Sequence, residues 1–226
     1  MIWFGLALLA LAFLPQLWVR RVISAHSADI QDMPGTGGEL AEHLIERFKL
    51  TGVKVETTEY GDHYDPKDKM VRLSPQNMQG KSLAAVAIAA HEVGHAMQDA
   101  EQDPRLLLRT RLVPITETVA RASSLVIWLA PIIGLVTRHP VPFFVLALCG
   151  LSGLLLRMLL HLVTLPIEWD ASFDKAMPAL ISGKYLAAAQ HEAVAKVLRA
   201  AAFTYVAAAL ADVFNLARWG ALVLRR

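Results

Sequence analysis

Cysteine is almost missing from this sequence. Cys149 is the single one among 226 residues, and it sits inside an apolar run. That excludes an intramolecular disulfide and any metal cluster built on thiolates. A dense basic patch is missing too. The 22 Lys and Arg stand against 20 Asp and Glu, a net charge of +2, and the few Arg pairs flank apolar segments. Nucleic acid is therefore not an expected partner. Internal repeats and low-complexity tracts are also lacking. Apolar residues, by contrast, are abundant. They make up 55% of the chain, above the share usual in soluble domains, so segments within a lipid bilayer are the first expectation.

Residues 2–19 are almost wholly apolar and are followed by Arg20-Arg21. A run of about 18 such residues spans a bilayer. A cleaved signal peptide would carry its positive charge before the apolar run, not after it, so an uncleaved anchor over residues 1–19 is expected. By the positive-inside rule, residue 20 onward then starts in the cytoplasm. Residues 20–121 read as a soluble region. Residues 35–49 have a helical stripe of Leu40, Leu44, Ile45 and Phe48. Val53-Lys54-Val55 and Met70 to Leu73 read as two short strands, with a turn-rich stretch from Tyr60 to Lys69 between them. Ser82 is a plausible N-cap for an Ala-rich helix over 83–98. Residues 101–121 are mixed in charge and are expected to continue helically around Pro104 and Pro114.

Two apolar runs, 122–137 and 141–156, are separated by Arg138-His139-Pro140. They predict a transmembrane hairpin over 122–165 with Arg138 in its turn. Residues 166–199 then form a second, amphipathic segment of the soluble part. Residues 200–226 are an apolar helix that either spans the membrane or lies against it.

The chemistry is carried by His91-Glu92-Val93-Gly94-His95, an H-E-x-x-H pattern inside the Ala-rich helix. Residues four apart share a helix face, so both imidazoles can reach one Zn²⁺. Glu92 between them is placed to take the proton of a water polarised by the metal. The residues before the motif, 84–90, are nearly all apolar. A buried His and Glu need partners, and a metal supplies one.

A catalytic zinc usually has three protein ligands. No Gly-x-x-His follows His95, so the third must come from elsewhere: Glu101, Glu117, Glu168, Glu192 or His161. Glu168 is preferred on two grounds. It emerges in Leu165-Pro166-Ile167-Glu168-Trp169-Asp170, directly after an apolar segment, where an unused charge is costly. A hairpin also crosses the membrane twice, which returns residue 168 to the face that carries residue 91. His161 is the runner-up. Asp170 and Asp174 are candidates to orient a ligand imidazole, and Tyr205 is a candidate for oxyanion stabilisation. His63 reads as a turn residue, and His43, His139 and His191 have no neighbours that suggest ligation.

These segments resemble the YugP-like neutral zinc metallopeptidases, small bacterial membrane proteins. The resemblance runs through the apolar N-terminus, Asp62-His63-Tyr64-Asp65-Pro66, Val71-Arg72-Leu73-Ser74, Ala89-Ala90-His91-Glu92-Val93-Gly94-His95-Ala96, Leu165-Pro166-Ile167-Glu168-Trp169-Asp170-Ala171-Ser172, and Thr204-Tyr205-Val206-Ala207-Ala208. More distantly, the chain is similar to the HtpX and CAAX-protease group, whose Glu ligand opens an E-x-x-A-D pattern. Ser172 stands where that group has Asp. The resemblance implies a mainly α membrane protein of about three to four transmembrane helices. Its catalytic core would be a minimal gluzincin-like α+β unit with a small sheet, and Met70 to Leu73 would be an edge strand available to a peptide.

The expected function is a zinc endopeptidase with one Zn²⁺ per chain, acting on membrane or membrane-proximal proteins. It would lie in the bacterial inner membrane, multi-pass, with its site facing the cytoplasm. Its partners would be a peptide or protein substrate, the lipid bilayer, and membrane proteins or further copies of itself. A latent or non-proteolytic metal-binding component of a larger assembly is the rival reading. Glu92 separates the two, since a scaffold has no need of it.

Overall fold

The architecture is described from a computed structural model covering residues 2–224; the side chains of residues 2–12, Pro140, Trp219 and 221–224 are outside the description. The chain is mostly helical. In order, the elements are α1 (Ile2–Ala25), α2 (Gly37–Arg47), β1 (Lys54–Thr57), β2 (His63–Asp65), β3 (Met70–Leu73), α3 (Pro75–Gln79), α4 (Leu83–Ala100), α5 (Pro104–Thr137) and α6 (Pro140–Trp169). A π-helical segment, Asp170–Ala176, then leads into α7 (Met177–Ser182), and α8 (His191–Leu224) closes the chain. The elements divide into two compact units. One is built from Leu17–Leu107 and Leu165–Thr204, the other from Met1–Gln16, Leu108–Thr164 and Tyr205–Arg226.

In the first unit, α4 is the central element. Its residues from Leu83 to Ala96 are all buried, as expected for a helix with no polar face. Ser82 caps it by accepting the Ala85 N–H at 3.1 Å. Around α4 lie α2, α3, β2, β3, the π-helical segment and α7. Helix α2 begins with a reciprocal capping box between Thr36 and Glu39 and turns Leu40, Ala41 and Leu44 inward.

The sheet has the order β1-β3-β2, with β1 parallel and β2 antiparallel to β3. This corrects two sequence-based expectations. The turn-rich stretch contains a third strand, β2, which includes His63. And β3 is the central strand, paired on both sides, so Met70 to Leu73 offers no free edge; the edges are β1 and β2. Side chains along β3 alternate as a pleated strand requires. Val71 and Leu73 are fully buried. On the opposite face Arg72 pairs with Glu56 of β1, and its guanidinium reaches Asp65 and Asp68, each at 2.7 Å. Tyr64 of β2 donates to Asp99 near the end of α4 at 2.8 Å. Burial, and then that acidic partner, raises the Tyr64 phenol above its ordinary pKa.

Asp62 joins the sheet to α3. One of its oxygens accepts the Ser74 amide at 2.7 Å and the Ser74 hydroxyl at 3.0 Å; the other accepts the buried Asn77 side-chain amide at 2.7 Å.

The second unit consists of long apolar helices. Among the described residues, three helical stretches are long and apolar enough to cross a membrane: Pro104–Thr137, Val141–Ser182 and Ala188–Arg218. The expected short hairpin arms are parts of longer helices. Arg138, at φ 51°, sits in the turn between α5 and α6. Gly150 of α6 lies so close to Ile127 of α5 that a methyl group would not fit, the small-residue contact common between membrane helices. The expected anchor over 1–19 is helical in backbone from Ile2, and its side chains through residue 12 lie outside the described residues.

Asp62→Ala removes a charged acceptor shared by three donors and leaves the Asn77 amide unsatisfied. The expected loss is about 2–3 kcal/mol, measured by denaturant unfolding of the detergent-solubilised protein. Unchanged stability would refute this role for Asp62.

Candidate metal centre

His91 and His95 lie one helical turn apart on α4, and Glu168 lies at the end of α6. All three are buried, with exposures of 4%, 5% and 2%. The Glu168 Oε2 atom is 3.1 Å from His91 Nε2 and 3.4 Å from His95 Nε2. One donor atom from each residue falls within 4.8 Å of the other two, so the group could hold a metal ion. The spacing suits zinc. Bonds of about 2.1 Å in a tetrahedron put neighbouring ligand atoms about 3.4 Å apart.

The outer nitrogens identify the tautomers. His95 Nδ1 is 2.9 Å from Gln98 Oε1, and an amide oxygen only accepts. The other end of the same amide donates to the Ile167 carbonyl at 2.9 Å and to Asp170 Oδ2 at 2.7 Å. Both of those partners accept only, so the network itself fixes which way the amide points. His91 Nδ1 is 3.0 Å from Ser172 Oγ, whose hydroxyl faces the Leu198 carbonyl at 3.4 Å. With the proton of each ring on Nδ1, both Nε2 lone pairs face Glu168, the arrangement that metal ligation uses.

Backbone geometry allows this meeting. A β-carbon on Gly94 would come within 2.6 Å of the Ala171 carbonyl oxygen. Gly94 thus lets α4 approach the π-helical segment backbone to backbone, between the positions of the two histidines and just past Glu168. A π-helical turn of this kind is uncommon and is often found at functional sites.

The other candidates have neighbours of their own. Glu92 is buried on α4 beside His91, with 7% exposure. Asp170 contacts Gln98 rather than an imidazole, and its other oxygen is 3.2 Å from Arg105. Asp174 is exposed. His161 belongs to the other unit, where its Nε2 lies 3.4 Å from Asp212 Oδ2. Tyr205 is in that unit as well, accepting from Arg109 at 2.8 Å. The rival third ligands pair with cations: Glu101 with Lys175, Glu117 with Arg121 and Glu192 with Lys196. Gln98 was not among the sequence candidates. Its signal is positional, three residues after His95 and seven after His91 on one helix face.

Residues 1–224 match the family described as "Putative neutral zinc metallopeptidase". The chain belongs to this family. Among curated proteins it is similar to the "Putative membrane protease YugP" of Bacillus subtilis (strain 168), at 33% identity over 222 residues, covering 96% of this chain and 94% of that protein. No solved structure matches the chain. Zinc is implied by the name of the neutral zinc metallopeptidase family, and the two-imidazole, one-carboxylate donor set fits it.

Gly94→Ala tests the close approach. Helix propensity alone would favour the change by about 1 kcal/mol. The clash with Ala171 is expected to reverse that sign, for a net loss of about 1–3 kcal/mol together with weaker zinc retention. Unfolding with and without chelator measures both. A more stable variant with full zinc content would show that the contact is slack.

Proposed function

We propose that this protein is a membrane-bound, zinc-dependent endopeptidase acting on membrane or membrane-proximal proteins. In this reading His91, His95 and Glu168 hold one Zn²⁺, and Glu92 is the general base. The observation that carries it is the buried His91–His95–Glu168 group on a helix that also bears Glu92. When bound, zinc supplies a Lewis acid that polarises a carbonyl and brings the acidity of water near neutrality. Glu92 takes the proton of the attacking water and passes it to the leaving amine nitrogen. Ser172 and Gln98 keep the two imidazoles in the tautomer that offers Nε2. The apolar side chains of α4 exclude bulk water and so strengthen each of these interactions.

The layout proposed with this function has an anchor over 1–19, catalytic segments over 20–121 and 166–199, a hairpin over 122–165 and a C-terminal apolar helix. The three long apolar helices support membrane residence. Arg20-Arg21 after the first apolar run supports a site facing the cytoplasm. The gluzincin-like character of the core belongs to the same proposal.

Metal analysis and peptide hydrolysis test the chemistry together. Wild type is expected to carry one zinc per chain, and His95→Ala and Glu168→Ala to lose it. Glu92→Gln should keep zinc while activity falls about 10²–10⁴-fold. Zinc retained in Glu168→Ala would remove the third ligand, and proteolysis retained in Glu92→Gln would overturn the peptidase reading. Orientation is tested at Tyr60, which is 95% exposed. In a background lacking Cys149, Tyr60→Cys should resist membrane-impermeant thiol reagents in intact cells; labelling from outside would place the site on the other side.

A further inference from the structure

We infer that Gln98 is a positioning residue whose one side-chain amide aims two of the three zinc ligands. The inference rests on the zinc reading of the His91–His95–Glu168 group. Gln98 is fully buried. Its oxygen receives the His95 Nδ1–H, and its nitrogen spends both protons on the Ile167 carbonyl and the Asp170 carboxylate. Ile167 and Asp170 bracket Glu168 in the chain. The same planar group therefore fixes the ring of one ligand on α4 and the backbone that carries another at the end of α6. An amide is well suited to this task. An imidazole N–H needs an acceptor, while a carbonyl and a carboxylate need donors. Among side chains of this length only glutamine offers both. A carboxylate would repel Asp170, and an ammonium would leave the imidazole N–H without an acceptor.

The network continues outward. Asp170 Oδ1 accepts from Arg105 at 3.2 Å, and Arg105 also grips Asp103 at 2.5 Å. Asp103 in turn sends its backbone N–H to the Gln98 carbonyl at 2.9 Å. Gln98 is thus held at its main chain and its side chain by the same short stretch, which leaves its amide little freedom to turn. A buried residue could serve stability alone, so the test must read the metal rather than the fold.

Gln98→Leu keeps the approximate volume and removes all three hydrogen bonds. Gln98→Glu keeps the acceptor for His95 and loses the donors. Adding Asp170→Asn to Gln98→Glu returns a donor to that contact. Each is made in the full-length protein in detergent. Zinc affinity is measured by chelator competition, the site is read from the Co²⁺ absorption spectrum, and apo stability is measured alongside. The expected result is a 10–100-fold weaker zinc affinity in Gln98→Leu and in Gln98→Glu, with altered Co²⁺ bands. The double variant should recover at least about tenfold of that loss. If Gln98→Leu fails to fold, the glutamate single and double variants decide. Wild-type affinity and spectrum in the folded variants, with zinc bound by wild type, would overturn the positioning role alone. A wild-type protein that binds no zinc would overturn the zinc reading and this inference with it.

Discussion

Between Gly94 and the carbonyl of Ala171 there is no room for a methyl group, and most of the site follows from that. Two stretches of backbone approach within contact distance. One carries His91 and His95, the other follows directly from Glu168. Side chains of moderate reach can then converge, and none has to extend into a cavity. A bulkier residue at position 94 would push the two stretches apart: the imidazoles from the carboxylate, and Gln98 from Ile167 and Asp170. Because the space is filled by backbone, relaxation there is harder than in a side-chain core.

The same approach explains how polar groups survive in so apolar a setting. Helix α4 is buried on every side, which normally excludes His, Glu and Gln. Here each imidazole has a partner at Nδ1 and turns Nε2 toward Glu168, where the group could hold a metal, and the Gln98 amide is satisfied at both ends. Polar networks of this kind are tolerated only when complete. The alanines of α4 contribute by being small. Ala84, Ala85, Ala87, Ala89 and Ala96 are fully buried, and they let neighbouring elements come close enough for those bonds to form.

The sequence disclosed what depends on local spacing. The i, i+4 histidines, the N-cap at Ser82 and the helix with the Leu40, Leu44, Ile45 and Phe48 stripe are all decided within a few turns. The meeting of Glu168 with His91 and His95 was legible for a different reason: a charged residue at the end of an apolar run has few comfortable places to go. What depends on which element lies beside which was not legible. β2 is three residues long and lies between Gly61 and Pro66, so turn signals hid it. The central place of β3 follows from pairing with β1 on one side and β2 on the other, which alternation along a single strand cannot reveal. His161 and Tyr205 have Asp212 and Arg109 as partners within the second unit, pairings that no local spacing announces. Ser172 looked like a departure from a related pattern. Its hydroxyl nonetheless occupies the acceptor position at His91, because a hydroxyl can take an N–H as a carboxylate does.

The π-helical segment after Glu168 has a consequence for how this chain can vary. Its wider turn absorbs a residue that an α-helix would not, and it does so between a buried glutamate and the buried Ala179 and Leu180 of α7. Removing one residue there would let the helix close to ordinary α spacing while the stretch beyond kept its facing. Leu180 would stay in the core, but the residues inside the turn would change their facing, and the contact of Ser172 with His91 would be at risk. Substitutions in this stretch change single contacts, whereas a change in its length would alter all the contacts of the turn at once. The turn thus confines the effect of a length change to the site and shields the core of α7 from it.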